Sequence, residues 1–188
     1  SISASEVHVP GRPTDLDGVK ALAVAARKCF ENFKPSGMRV YAGSLILEPG
    51  LTSKDYEDVV SKGVWLAKAG FGAVSKATEY VKLVSEAREA GLFTTLHTGG
   101  ASIPGSFPIT GEDLIKINPQ VSFHINGGPV SMEDKYFEVV ARDTEIAMQV
   151  CTAGNLRTAI LCAEMAKKHN AFDRFLIATD TPTGSGVM

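Results

Sequence analysis

The sequence predicts an α/β fold built on a parallel sheet. Three observations carry this prediction. Short apolar, β-branched runs alternate with stretches of helical periodicity about six times along the chain. The runs are near-continuously apolar, as strands covered on both faces must be. They recur roughly every 25–30 residues, the length of a β-α unit joined by right-handed crossovers.

Taken in order, residues 3–9 read as a first strand and residues 15–30 as a helix. Residues 39–47, 64–67, 92–96, 121–124, 146–150 and 175–179 read as further strands. Helices fall between them at 55–61, 76–90, 132–141 and 156–168. In the helix at 76–90, Ala77, Tyr80, Val81, Val84 and Ala87 share one face, and Gly91 stops it. Ser131 with Asp134 resembles an N-cap followed by an acidic first turn. Thr110-Gly111-Glu112-Asp113 opens a shorter helix in the same way. The alternation allows two closures, an open doubly wound sheet or a (β/α)8 barrel. No strand is followed by GxGxxG or GxxxxGK[ST], which weakens a nucleotide-binding open sheet. No Pro/Ser/Gly-rich linker divides the chain, so residues 1–188 read as one domain.

Composition narrows the function. At 44% hydrophobic and 188 residues, the chain can bury a real core. Its 19 Lys and Arg against 21 Asp and Glu include no basic block, which argues against a nucleic-acid binder. No apolar run reaches the roughly 18–20 residues of a membrane span. The N-terminus, Ser1-Ile2-Ser3-Ala4-Ser5, shows no signal-peptide pattern and no initiator Met. Cys29, Cys151 and Cys162 are far apart, each in apolar sequence, and no CxxC exists. This pattern predicts three buried structural thiols and a reducing, cytoplasmic setting.

Polar residues cluster where four strands stop. Lys68 closes the run at 64–67, and His97 closes the next and opens His97-Thr98-Gly99-Gly100. His124 closes a third, ahead of Ile125-Asn126-Gly127-Gly128-Pro129, and Asp180 closes the last. Two imidazoles and a carboxylate are ligand types that zinc, iron or manganese accept, and separate strand ends can converge on one ion. A buried, hydrogen-bonded histidine is the competing reading for either imidazole taken alone. No GxSxG elbow is present, which disfavours a serine nucleophile.

Three segments carry a family resemblance: His97 through Ser106, Ser122 through Pro129, and Thr179 through Gly186, with Pro10-Gly11-Arg12-Pro13 fitting as well. Over nearly its whole length the chain resembles the amidohydrolase superfamily, and within it the enamidases of nicotinate breakdown. The resemblance implies a (β/α)8 barrel around one or two divalent metals, zinc, iron or manganese. It places His97 at the fifth-strand ligand, His124 at the sixth and Asp180 at the eighth. Lys68 falls at the fourth-strand position, where many members carry a carboxylated lysine bridging two metals; enamidases have Glu there. Asp180 would be the catalytic proton carrier as well as a ligand. The implied activity is hydrolysis of a C–N bond in a cyclic amide, by water attacking the carbonyl.

A carboxylated ring substrate would need a cation and polar donors, for which Arg12, Ser102 and Asn126 are the candidates. The alternatives for Arg12 and Asn126 are a solvated loop charge and a residue capping its own turn. The partner expected is a small molecule, not nucleic acid or membrane, and homo-oligomers are common among such enzymes. The first-strand His-X-His of the family is missing. That departure predicts a partial barrel, lacking its first strand-helix unit and last helix, in a fragment inactive alone. Dihydroorotase- or hydantoinase-like ring opening, deamination, and a metal-free α/β binding module are the rival readings.

Overall fold

In the computed structural model of the protein, residues 15–31, 37, 41–71, 74–101, 107–127, 132–152 and 154–180 are described. The strand expected at 3–9, Arg12, Ser102 and the cap expected at Ser131 lie outside these residues. The elements run α1 (Leu16–Phe30), β1 (Ser44–Ile46), α2 (Ser53–Ser61), β2 (Leu66–Ala69), α3 (Tyr80–Glu89), β3 (Phe93–His97), α4 (Gly111–Ile117), β4 (Val121–Phe123), α5 (Asp134–Asp143), β5 (Ala147–Cys151), α6 (Leu156–Lys168) and β6 (Phe175–Ala178).

All six strands are parallel, and their order in the sheet is their order in the chain. A doubly wound sheet reverses direction at a switch point, whereas a barrel wall does not. The sequential order therefore selects the barrel topology over the open alternative. Among the described residues six strands are present where a closed barrel has eight, and β1 and β6 are left as edges. Leu176 and Ile177 stand on opposite faces of β6, and both are exposed, at 41% and 76%. No helix among the described residues is long and apolar enough to cross a membrane.

The register sorts side chains onto two faces. Ile46 pairs Lys68, Lys68 pairs Thr95, His97 pairs Phe123 and Gln149 pairs Leu176. Paired residues of a parallel sheet share a face, so Lys68, Thr95, His97, Phe123 and Gln149 lie together. The opposite face presents Leu45, Leu47, Ala67, Leu96, Met148 and Val150 to the helices. There they pack with Val19, Ala23, Val59, Val84, Phe137, Val140 and Cys162 in one continuous core. Each fully buried Val, Leu, Met or Phe side chain among them stabilises the fold by about 1.5–3 kcal/mol.

Local chemistry starts the helices where it should. Asp15 caps α1 by accepting from Gly18 N (2.9 Å), and Thr110 with Asp113 forms a capping box at α4. Thr52 and Asp55 do the same at α2, and Lys20 Nζ, 2.7 Å from Asp55, ties α1 to that cap. α5 begins at Asp134 after a cap position at Glu133, and the acidic first turn expected at Asp134 is present. One expectation needs correction. Cys29 is exposed, because it lies one turn beyond Ala26, the last buried residue of α1; Cys151 and Cys162 are buried.

Candidate functional site

The C-terminal ends of β2, β3 and β4 meet in a polar cluster. Lys68 is the third residue of β2 and is half-buried. Its Nζ lies 4.7 Å from the ring centroid of Phe71 and 5.0 Å from that of Phe123. Burial lowers its pKa, and the nearby Asp180 carboxylate acts in the opposite sense.

His97 ends β3 and is 7% exposed. The chain leaves β2 beside it through Gly70, whose φ is +100°; a Cβ there would stand 2.5 Å from His97 Cβ. The glycine is thus what lets the β2 loop pass against the imidazole. Phe71, the next residue, packs on that ring at 5.6 Å between centroids. Tyr80 of α3 donates to the Phe71 carbonyl and anchors the loop.

His124 was expected to close β4, but β4 ends at Phe123. Because Phe123 shares the face of His97, regular alternation would aim residue 124 at the helices. Its φ of +39° turns the ring back. The two imidazoles then stand 4.5 Å apart between centroids, with His97 Nδ1 3.0 Å from His124 Nε2.

The outer nitrogens define the tautomers. His97 Nε2 lies 2.5 Å from the Gly100 carbonyl, and His124 Nδ1 lies 3.2 Å from the Thr98 carbonyl. A carbonyl only accepts, so both outer nitrogens carry hydrogen. Burial lowers both pKa values, that of His97 to about 4, so both rings are neutral near pH 7. Their inner nitrogens therefore face each other as two lone pairs. One turn, His97 to Gly100, supplies both carbonyls, and the buried Thr98 and Ser122 hydroxyls, 2.7 Å apart, pin it.

Two lone pairs at this spacing suit a shared electrophile. With metal–nitrogen bonds of about 2.0–2.1 Å at roughly 90–110°, two imidazole nitrogens on one ion stand about 2.9–3.4 Å apart. The donor pair fits a divalent metal. Among the described residues, however, no group of three His, Cys, Asp or Glu side chains is gathered to hold one. Asp180 lies beyond β6, exposed, with φ +51°; its carboxylate partly opposes the lowering of the His97 and His124 pKa values by burial.

Asn126 is engaged with backbone. It is fully buried; its Oδ1 accepts from Cys151 N (2.9 Å), and its Nδ2 donates to the carbonyls of Cys151 (3.0 Å) and Asn155 (3.2 Å). The carboxamide extends the backbone pairing past the end of β5, the turn-capping role that was the alternative to substrate binding. Sequence reasoning missed Phe71, Thr98 and Gln149. The last carried a signal, as a lone amide within the apolar run at 146–150; Thr98 acts through its backbone carbonyl, which leaves no mark in the sequence.

The sequence is 37% identical over 188 residues to enamidase of Eubacterium barkeri, a match covering 100% of this chain and 49% of that protein. The structure superposes on the crystal structure of an enamidase, described as a new member of the amidohydrolase superfamily, with a TM-score of 0.83 and 36% identity. That superposition covers 96% of this chain and 47% of the other. No family model matches. The chain spans about half the length of the relatives it matches. Sequential parallel strands, the histidines at adjacent strand ends, and these two matches agree: the chain is a homologue of enamidase and belongs to the amidohydrolase superfamily.

Proposed function

We propose that the protein is a metal-dependent hydrolase that opens cyclic amides at a C–N bond, with residues 1–188 contributing one barrel domain. The observation that carries this reading is the pair of inner nitrogens on His97 and His124, 3.0 Å apart, with both outer nitrogens engaged by backbone carbonyls. His97 Nδ1 and His124 Nε2 would hold a divalent ion, with Asp180 and Lys68 as the further candidate ligands. Such an ion, when bound, acidifies a water toward a pKa of about 7 and polarises the amide carbonyl.

The remaining work falls to this chain. An Asp180 carboxylate oxygen accepts the proton of the attacking water as its oxygen bonds the carbonyl carbon. It returns that proton to the ring nitrogen as the C–N bond breaks, leaving a carboxylate and a freed nitrogen at the two ends of the opened ring. The Thr98 and Gly100 carbonyls keep the two imidazoles in one tautomer and orientation throughout. Arg12 and Ser102 remain the candidates for gripping a ring carboxylate.

Lys68 is the candidate for carboxylation. Burial lowers its pKa, so more of it exists as the neutral amine that adds carbon dioxide. The product would place an anion against the π faces of Phe71 and Phe123, so both rings would have to withdraw. High-resolution density extending beyond Nζ as a planar three-atom group would show the modification; a plain ammonium between the rings would exclude it.

Metal analysis of the purified, folded protein tests the main reading. Binding of about one or two divalent ions per chain, lost on replacing His97 by Ala, together with hydrolysis of cyclic amides, is the expected result. A folded protein that takes up no divalent ion on reconstitution would point instead to a metal-free binding module.

A further inference from the structure

We propose that Gln149 is the positioning residue that turns His124 into the site. The inference rests on the metal-site reading above and adds to it the device that creates the site's geometry.

The β4–β5 ladder shows the device. Ala147 N donates to Gln120 O at 2.9 Å, and rungs of a parallel ladder recur at every second residue. Continued regularly, the ladder would have His124 N donate to the Gln149 carbonyl. Instead Ile125 N takes that carbonyl, at 2.8 Å. The displaced His124 N–H is met by the side chain of the same residue, Gln149 Oε1, at 3.3 Å. One residue has been inserted into β4 opposite Gln149, as in a β-bulge, and the Gln149 carboxamide supplies the missing rung.

The consequence is the orientation of the imidazole. In regular strand geometry residue 124 would face the helices, away from His97. The inserted residue takes φ +39°, a conformation that side chains with a Cβ rarely adopt, so it needs restraint from both sides. Gly127 N closes the turn from below by donating to the His124 carbonyl at 2.6 Å, and Gln149 holds it from above. Remove the Gln149 side-chain oxygen, and the acceptor that the regular register offers the His124 N–H is the Gln149 carbonyl. That bond displaces Ile125, restores the strand and carries the ring out of reach of His97. The carboxamide orientation follows too: only Oε1 can accept from an N–H, so Nε2 points away from His124.

The test compares Gln149→Met, of similar length without an acceptor, and Gln149→Glu, which keeps an acceptor oxygen, with the unsubstituted protein. Crystal structures report the backbone at 124. Cobalt(II) affinity, from competition with a chelator, and the cobalt(II) absorption bands report the ligand pair. Gln149→Met is expected to lose the positive φ at 124, weaken cobalt(II) binding about 10–100-fold and alter the bands. Gln149→Glu is expected to keep the turn and restore the bands. A Gln149→Met protein that retains both the turn and the affinity would overturn the inference while leaving the metal site standing. If the unsubstituted protein binds no cobalt(II), the metal reading fails, and the backbone at 124 in the two variants still decides the role of Gln149. If Gln149→Met does not fold, loss of the turn in Gln149→Glu overturns the inference and its retention supports it.

Discussion

Replacing Gly70 by Ala separates the ways in which the loop after β2 shapes the site. Two penalties act at this position. A residue with a Cβ must adopt φ +100°, which costs of order 1–3 kcal/mol. The new methyl would also stand 2.5 Å from His97 Cβ, with the His97 backbone at 3.1 Å and 3.2 Å, so the neighbour cannot yield by a simple rotamer change. Overpacking of this kind typically costs about 1–3 kcal/mol. The total, about 2–6 kcal/mol, is a large part of the 5–15 kcal/mol that holds a domain together. For a chain of this length it corresponds to a fall in Tm of roughly 5–20 °C.

Gly91→Ala is the internal control. Its φ is +94°, but nothing lies within 4 Å of its added Cβ, so only the backbone penalty applies. Urea denaturation of both variants therefore reads the steric part as a difference, expected at about 1–3 kcal/mol. The steric part should also displace the His97 ring and weaken divalent-metal binding in Gly70→Ala alone. Equal losses of stability in the two variants, with metal affinity unchanged in Gly70→Ala, would show that the close passage against His97 is not a constraint.

Further outcomes follow from the same contacts. Asp55 is held below its usual range, at about 2, chiefly by the Lys20 ammonium and also by Thr52. Its folded pKa is depressed, so the stability it contributes is present above pH 3.8 and is lost as pH falls through about 2; Asp55→Asn should destabilise at pH 7, and the gap in urea midpoint should close across that window. Phe137→Ala empties a fully buried site of α5 in the core and should cost about 3–5 kcal/mol by equilibrium unfolding. Arg157→Ala breaks an exposed bidentate pair with Asp134, and its urea midpoint should stay nearest to the parent's in this series. His124→Ala should abolish cobalt(II) binding and leave the far-ultraviolet circular dichroism unchanged, because the ring packs in the site and not in the core.

The rhythm of the fold is written in the chain. Six apolar runs and the helices between them appear as strands and helices within a few residues, since period and capping are local properties. Thr110 with Asp113 opened its helix as read, and His97 ends its strand as read. What local reading left open was closure: an open sheet and a barrel share the same alternation, and only the pairing of neighbours in chain order separates them. Exposure at Cys29 belongs to the same class, because an apolar neighbourhood in sequence does not say where a helix outruns its core.

The site divides along the same line. Lys68, His97, His124 and Asp180 could be picked out by residue type and by position at strand ends. The sequence by itself thus determined the periodicity of the elements and offered the candidate side chains for a site, because both depend on a few adjacent residues. Tertiary structure alone decided that His124 turns back toward His97, that Asn126 is spent on the backbone of Cys151, and that Gln149 supplies a missing rung. Each of these depends on hydrogen bonds between residues about 25 apart in sequence, which form only once two strands have been brought side by side.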